Sequence, residues 1–572
     1  MRSEALIDAA NGLIPCDTNF SNCALVDLFS GTIHFGATVS VFAGRIAGVN
    51  DGLEAAETVD CGGRYLAPSL IDAHVHIESS LLSPSEYARV VCSRGTGAIV
   101  ADPHEIANVL GYDGLRYMLD ASEDLPIDVY FTMPSCVPAT DFDTAGAALH
   151  ASDMVSFLRE ERVLGLGEVM NYPGVLAKAP ELMDKVALFL DARRAVDGHC
   201  PGLRGKALSA YAAAGIGTDH ECGDPAEGAE KVAKGLYVML RDGSAAHDID
   251  ALVRALTPEN ARRFLLCSDD RHVDDIVERG HMDHALNVLL GAGFPLVEAL
   301  RIASLNPSER YGIPDSGAIA PGYRADFVLF DDPARFVPGA TYKRGRLVAK
   351  EGLCVAPMPG PAKAPRDSVN IKWLSAEDFR IEDRGAKVRV IEAIDDSIVT
   401  GSLVVWPKVE GGYCVADPER DLAKLFVIER HRGSGTIGKG FLKGFGLKKG
   451  AIGSTISHDS HNLIVAGMDD ASIFRAAKYL NKIGGGLVYV EGDTVVAELP
   501  LPIAGLMSDR DAAFVCARLA DFSAAFESRG VTNPEPLMTL AFMALPVIPT
   551  LKLTNLGLVD VDQFSKVDLY VS

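Results

Sequence analysis

The sequence predicts an α/β protein built on a closed barrel of eight parallel strands, with a composite small β-sandwich domain beside it and a C-terminal α/β (α+β) domain after it. Three observations carry that expectation. Short apolar runs alternate with helical segments over about 240 residues, the pattern of repeated βα units on a parallel sheet. Similar β-rich, Gly-broken runs lie on both sides of that stretch. A Pro-rich joint, APMPGPAKAP at 356–365, then separates a third region with its own strands, helices and Gly-rich turns.

In chain order, CALVDLFSG and ATVSVFAGRIAGV read as hairpins of a small sheet, and SGAIAPGYRADFVLF and GRLVAKEG repeat that signal after the barrel. Residues 1–68 and 310–355 are expected to form one composite domain, with the barrel over 69–309. The candidate barrel strands are YLAPSLIDAHVH, TGAIVAD, IDVYFTM, VLGLGE, RAVDGH, GIGTDH, GLYVML and RFLLCSD. Eight strands with intervening helices in about 250 residues match the (β/α)8, TIM-like arrangement, whose chemistry sits where strands end and loops begin. Residues 356–365 are the expected linker and 366–572 the last domain. No low-complexity tract or short-period repeat suggests a solenoid.

Hydrophobic residues make up 48% of the 572, aromatics 7% and charged residues 23%, a globular composition. The formal net charge of −23 argues against a nucleic-acid partner, which calls for clustered Lys and Arg to displace counterions. The first residues, MRSEALIDAANGLIPCD, carry acids early and lack an apolar stretch behind a basic start, so no signal peptide is expected. Nor does any window hold the ~20 apolar residues of a membrane span. Eleven scattered cysteines without a C-x-x-C pair fit reduced thiols in a cytoplasm.

The motif IDAHVHIESS ends an apolar strand with His74 and His76 two residues apart. Period-two geometry points both imidazoles the same way, and two neutral imidazoles on one face can share a metal ion. Alone, the pair is as well explained by chance. Downstream strands end in Glu168 (GLGEVMN), His199 (VDGHCP), His220 (GTDHEC) and Asp269 (LLCSDDRH), which puts six potential ligands at one rim. His, Glu and Asp without Cys favour a divalent first-row metal over a structural thiolate zinc site. Six ligands exceed the need of one catalytic ion, so a pair of ions bridged by Glu168 is the economical arrangement.

This constellation resembles the amidohydrolase superfamily, whose barrels carry H-x-H on the first strand, a bridging acid or carboxylated lysine on the fourth, histidines on the fifth and sixth, and Asp on the eighth. His74 and His76 match the first strand, Glu168 the fourth, His199 and His220 the fifth and sixth, and Asp269 the eighth. The fourth-strand residue is a glutamate, which separates this chain from members with a modified lysine there. Longer phrases, PSLIDAHVHIESS, ADPHEIANVLG, GLGEVMNYPGV, DGHCPGL, GTDHE and CSDDRH, resemble the adenine deaminase family. IAPGYRADFVLF and ISHDSHNLIVAG carry the likeness past the barrel. The resemblance implies hydrolysis of adenine to hypoxanthine and ammonia in purine salvage, with a binuclear centre of Mn2+ or Fe2+ and Zn2+ as a further option. A small purine is the implied partner, and a homo-oligomer, dimer or larger, is expected.

Within that expectation Asp269, the first acid after its strand, is the general base and then acid for the leaving amine, with Asp270 as the alternative. Asp102 and His104 in ADPHE are candidates to hydrogen-bond the purine or relay protons; capping a helix or holding a ligand in place explains them equally well. Glu221 joins the catalytic candidates, and Arg241 the substrate-binding ones, although a surface ion pair accounts for Arg241 as cheaply. Glu78 and His272 read as solvent-facing or supporting groups. His461, in HDSHN at 458–462, is assigned to substrate binding through a loop reaching over the barrel mouth as a lid; the competing reading is a surface turn rich in Asx-type hydrogen bonds. His34, His150, His247, His281, His284 and His431 read as surface or packing residues. The glycine runs RHRGSGTIGKGF and KIGGGLV lack phosphate-loop spacing and read as turns. The single-zinc deaminase signature, H-x-E with P-C-x-x-C, is absent. Two other functions stay open: a related amidohydrolase acting on another cyclic amide or amidine, and a catalytically silent purine-binding relative. Ammonia release across purines, pyrimidines, hydantoins and dihydroorotate separates them.

Overall fold

The computed structural model describes residues 4–244, 247–395 and 397–571. Eight strands, Leu70–Val75, Thr96–Ala101, Asp128–Met133, Val163–Val169, Ala195–Gly198, Thr218–Asp219, Tyr237–Arg241 and Phe264–Cys267, succeed one another with helical segments between most of them. The first five pair in parallel, as do the last three. Two seams close the ring. At one, the Gly217 N–H donates to the Val196 carbonyl at 3.0 Å. At the other, Val75 and Asp269 form a parallel bridge, and the Asp269 N–H donates to the His74 carbonyl at 3.0 Å.

Strands covered on both faces need no alternation, and Leu70–Val75, Thr96–Ala101 and Val163–Val169 are buried throughout. Ile71, Ala73, Ala98, Val100, Leu164, Met239 and Leu265 meet inside the ring and fill it, so the barrel is a packed core below its mouth. Pairing of the first strand is irregular between Asp72 and Val75, a local bulge that turns His74 and His76 toward the centre although Ala73 already faces inward.

The run YLAPSLIDAHVH is two strands, not one. Tyr65–Pro68 joins the outer sheet and Leu70–Val75 the barrel, with Pro68, which has no N–H to extend a ladder, at the break. Pairing of Leu66 with Leu329 fuses the two flanks, and strands from both form one nine-stranded sheet. A helix, Glu4–Ala10, precedes it. No helix or strand lies between Cys354 and Ala376.

The C-terminal region builds a second nine-stranded sheet, against which Asp470–Ile483 and Ala512–Arg529 pack. Asp469 caps the former by accepting the Ser472 N–H. This region seats directly on the barrel mouth. Thr554 Oγ1 donates to the Phe142 carbonyl at 2.7 Å, Asn462 Nδ2 to the Thr144 carbonyl at 2.9 Å, and the Ser508 N–H to the Leu81 carbonyl at 2.8 Å. Among the described residues no helix is long and apolar enough to cross a membrane.

Candidate metal centre and active site

Six side chains from five strand ends converge at the barrel mouth. His74 lies within the first strand and His76 just beyond it; Glu168 is on the fourth; His199 and His220 directly follow the fifth and sixth; Asp269 follows the eighth. Asp269 takes a left-handed φ of 56°, a conformation that costs a non-glycine residue free energy, and it is braced there by backbone hydrogen bonds to the first strand.

Two sets of donor atoms result. The Nε2 atoms of His74 and His76 are 3.2 Å apart, and Asp269 Oδ1 stands 3.3 and 3.1 Å from them. On the other side Glu168 Oε2 lies 2.7 Å from His199 Nδ1 and 3.3 Å from His220 Nε2. Glu168 Oε1 turns to the first set, 3.3 Å from His76 Nε2. One carboxylate thus faces both groups.

Apart from the 2.7 Å between Glu168 Oε2 and His199 Nδ1, which is a hydrogen bond's length, these separations fit shared cations. Ligands about 2.1 Å from a common ion lie about 3.0–3.4 Å from each other in octahedral or tetrahedral geometry. The tautomer fits as well: His76 Nδ1–H donates to the Asp102 carbonyl at 2.8 Å, which leaves Nε2 with its lone pair toward the centre. Burial opposes the charge of Glu168, yet hydrogen bonding with His199 and His220 outweighs it and holds the carboxyl well below its usual range. Burial likewise works against a charged His220, but Asp269 and Glu168 raise its imidazole to about 9. The carboxylate field at this point favours positive charge.

The other expected residues divide into those at the cavity and those behind it. His104, Glu221, Arg241 and Asp270 line the cavity around the donor atoms. Arg241 is no surface ion pair: it is 5% exposed, donates to Asp269 Oδ2 at 2.8 Å and to Asp248 Oδ2 at 2.6 Å, and clasps both oxygens of Glu221. Asp270 accepts from Ser79 Oγ at 2.5 Å. Asp102 does not line the cavity; its Oδ2 accepts the Glu168 N–H at 3.0 Å, so the expected substrate contact becomes a brace for a ligand. His461 is 1% exposed, does not line the cavity and hydrogen-bonds to Glu105, so neither a direct substrate contact nor a surface turn describes it. Its loop does reach the mouth, through His458 and Asp459.

Glu78 is buried, not solvent-facing; its Oε1 accepts the Ile106 N–H, and burial raises its carboxyl to about 7. His272 lies outside the cavity at the start of helix Val273–Glu278. His281 packs in the interior, between Tyr87 and Thr96.

Glu105, in ADPHE, and His458 and Asp459, in HDSHN, lie inside motifs without an assigned role of their own, and an apolar roof goes unread in the sequence. Ile398, Phe542, Leu545, Val547 and Ile548, all from the C-terminal region, close a cavity of about 50 Å³ over the donor atoms. Glu221, Arg241, Met170 and Phe542 also line an adjoining cavity of about 1270 Å³. Glu105 had a signal, its place beside His104 in ADPHE; the roof had none, because its residues are ordinary apolar positions until the two regions pack together.

The amidohydrolase family matches residues 65–348, and the adenine deaminase C-terminal domain matches 397–565. An adenine deaminase of Nitratidesulfovibrio vulgaris (strain Hildenborough) is 48% identical over 563 residues, which cover 98% of this chain and 97% of that one. One from Desulfatibacillum aliphaticivorans is 44% identical over 571 residues, covering 100% of each chain. Adenine deaminase 2 of Carboxydothermus hydrogenoformans is 45% identical over 564 residues, 98% of each. With likeness at this level from end to end, through barrel and C-terminal region alike, the chain belongs to the adenine deaminase family of amidohydrolases.

Proposed function

We propose that this protein hydrolyses adenine to hypoxanthine and ammonia, a purine-salvage reaction. The observation that carries the reading is the convergence of four imidazoles and two carboxylates into two donor sets that share Glu168. His74, His76 and Asp269 would hold one cation, His199 and His220 the other, with Glu168 common to both. An imidazole and carboxylate set without thiolate suits Mn2+ or Fe2+, with Zn2+ as the alternative. When bound, such cations would supply acidity, lowering the pKa of water to about 7.

Hydrolysis forms a C6–O bond from water and breaks the C6–N bond to the amino group. Of the two water protons, one leaves with the nitrogen as ammonia and the other ends on the purine ring. Asp269 carries the first. Burial opposes its charge, but His220, hydrogen bonds with His74 and His76, and then Arg241, which holds Oδ2 at 2.8 Å, keep the carboxyl well below its usual range; its oxygens at the centre would take a proton and return it to the departing amine. Glu221, clasped by Arg241 at the cavity edge, offers a fixed acceptor for a purine N–H. His104 Nδ1 has no hydrogen-bond partner and is the imidazole available to the ring or the amine. Apolar side chains above exclude water, which strengthens each of these contacts.

The test is to load metal-depleted protein with manganese, ferrous iron or zinc and to measure ammonia from adenine beside the metal count. Turnover at about two equivalents supports the reading. Fully loaded protein that binds adenine without releasing ammonia, or that acts only on a cyclic amide, overturns it.

A further inference from the structure

We infer that a third divalent-cation site, separate from the binuclear one, lies between the barrel and the C-terminal region and is built by Glu105, His458 and Asp459 with His104 at its edge. Glu105 Oε1 stands 2.7 Å from His458 Nδ1 and 3.4 Å from His104 Nε2, and Asp459 Oδ1 is 3.9 Å from the same His104 nitrogen. Donor atoms of Glu105 and His458 lie within 4.8 Å of each other and of a ring nitrogen of His461, which braces Glu105 from outside the site.

Charge and hydrogen bonding point to a cation. Two carboxylates are buried here, Glu105 at 2% exposure and Asp459 at 4%. Among the described residues neither forms an ion pair with Lys or Arg; their partners are histidines alone. His461 does not compensate them. Its Nδ1 accepts the Ser457 N–H at 3.2 Å, so its one proton is on Nε2, donated to Glu105 Oε2; it is a neutral brace that aims Oε1 at the site. Asp459 Oδ2 is buried without any hydrogen-bond partner, an arrangement costly to an anion unless a cation meets it. Imidazole and carboxylate donors with no thiolate select a divalent first-row ion.

The two centres are held apart by the His104 ring, whose Nδ1 is 3.4 Å from Glu168 Oε1 while its Nε2 faces Glu105. Because Glu105 belongs to helix His104–Leu110 and the other donors to the loop at 458–461, a cation here ties the C-terminal region to the barrel mouth.

Titration of the metal-depleted full chain with Mn2+, read by metal counting, tests this independently of turnover. The wild type is expected to hold about three equivalents, and His458→Asn and Asp459→Asn about two each, with loaded variants unfolding at lower temperature than the loaded wild type. A wild type saturating at two, unchanged in His458→Asn, overturns the third site and leaves the binuclear reading intact. A wild type holding one equivalent that His458→Asn abolishes does the reverse. Should the variants fail to fold, anomalous diffraction from manganese-loaded wild-type crystals decides: a peak between Glu105 and Asp459 supports the site, and peaks confined to the surroundings of Glu168 overturn it.

Discussion

Glu168 faces two donor sets because its backbone is pinned: its N–H donates to Asp102 Oδ2, which fixes the carboxylate midway between His76 and His199. Replacing it with Gln keeps the shape and removes the charge that faces both donor sets. We expect Glu168→Gln to lose the two ions of the binuclear centre, bringing the metal count from about three to about one, with turnover lost alongside; an unchanged count would refute the bridging role. Asp102→Asn acts one step further out. Loss of such a supporting carboxylate costs about 10–100-fold in metal affinity, a shift a competitive chelator titration reads directly. For Asp269→Asn, assayed at saturating metal, kcat should fall by about 10²–10⁴. An unchanged kcat in the loaded variant would pass the proton role to another group.

At the scale of elements, the mouth is assembled from short pieces whose positions are set by their neighbours. Helix Pro536–Phe542 ends in a phenylalanine stacked on His458, with ring centroids 4.6 Å apart and planes inclined by 13°. Lys552 holds that helix end, donating from Nζ to the Phe542 and Ile398 carbonyls at 2.9 Å each, and its burial drops the ammonium to about 7. Both carbonyls belong to roof residues, so one buried amine sets the ceiling over the purine. Phe542→Leu keeps the apolar character and loses the flat ring. We expect KM for adenine to rise about tenfold, equivalent to about 1.4 kcal/mol, with metal content unchanged. If KM stays put while metal is lost, Phe542 supports the centre rather than the substrate.

Across the whole molecule, the end of the barrel away from the site is clamped to the outer sheet through Asp128, which receives Arg324 Nη1 at 2.6 Å and Lys343 Nζ at 2.8 Å. Burial opposes the charge of Asp128, but Lys343 and Arg324 outweigh it and hold the carboxyl below its ordinary value. A carboxylate depressed on folding contributes stability that is fully present above its unfolded pKa, about 3.9, and is lost as pH falls through the lower folded value. Denaturant midpoints should therefore decline below about pH 4, and Asp128→Asn should remove part of that decline. At neutral pH the variant leaves two half-buried cations without their shared carboxylate, although Arg324 keeps Tyr130 and Lys343 keeps the Leu125 carbonyl, at a cost of about 1–3 kcal/mol. A stability equal to the wild type at neutral pH would show that the clamp contributes nothing.

Strand periodicity, glycine turns and the convergence of six imidazole and carboxylate side chains at one mouth can be read from the chain itself, because each depends on residues close in sequence: an apolar run sets a strand, and the last residues of that strand face the mouth. The same locality accounts for the misreadings. Pro68 divides a run that hydrophobicity alone treats as one strand. Arg241, a substrate candidate that a surface ion pair explains as cheaply in the sequence, loses the surface explanation once Glu221, Asp248 and Asp269 surround it. His461 looks like a lid residue until its imidazole is seen braced between Ser457 and Glu105. The roof of Phe542, Leu545 and Val547, and the pairing of Glu105 with His458, join positions more than 350 residues apart. The residue type at each strand end belongs to local pattern, whereas burial, partner and the enclosure of the cavity come from packing one region on another, and no local spacing encodes that contact.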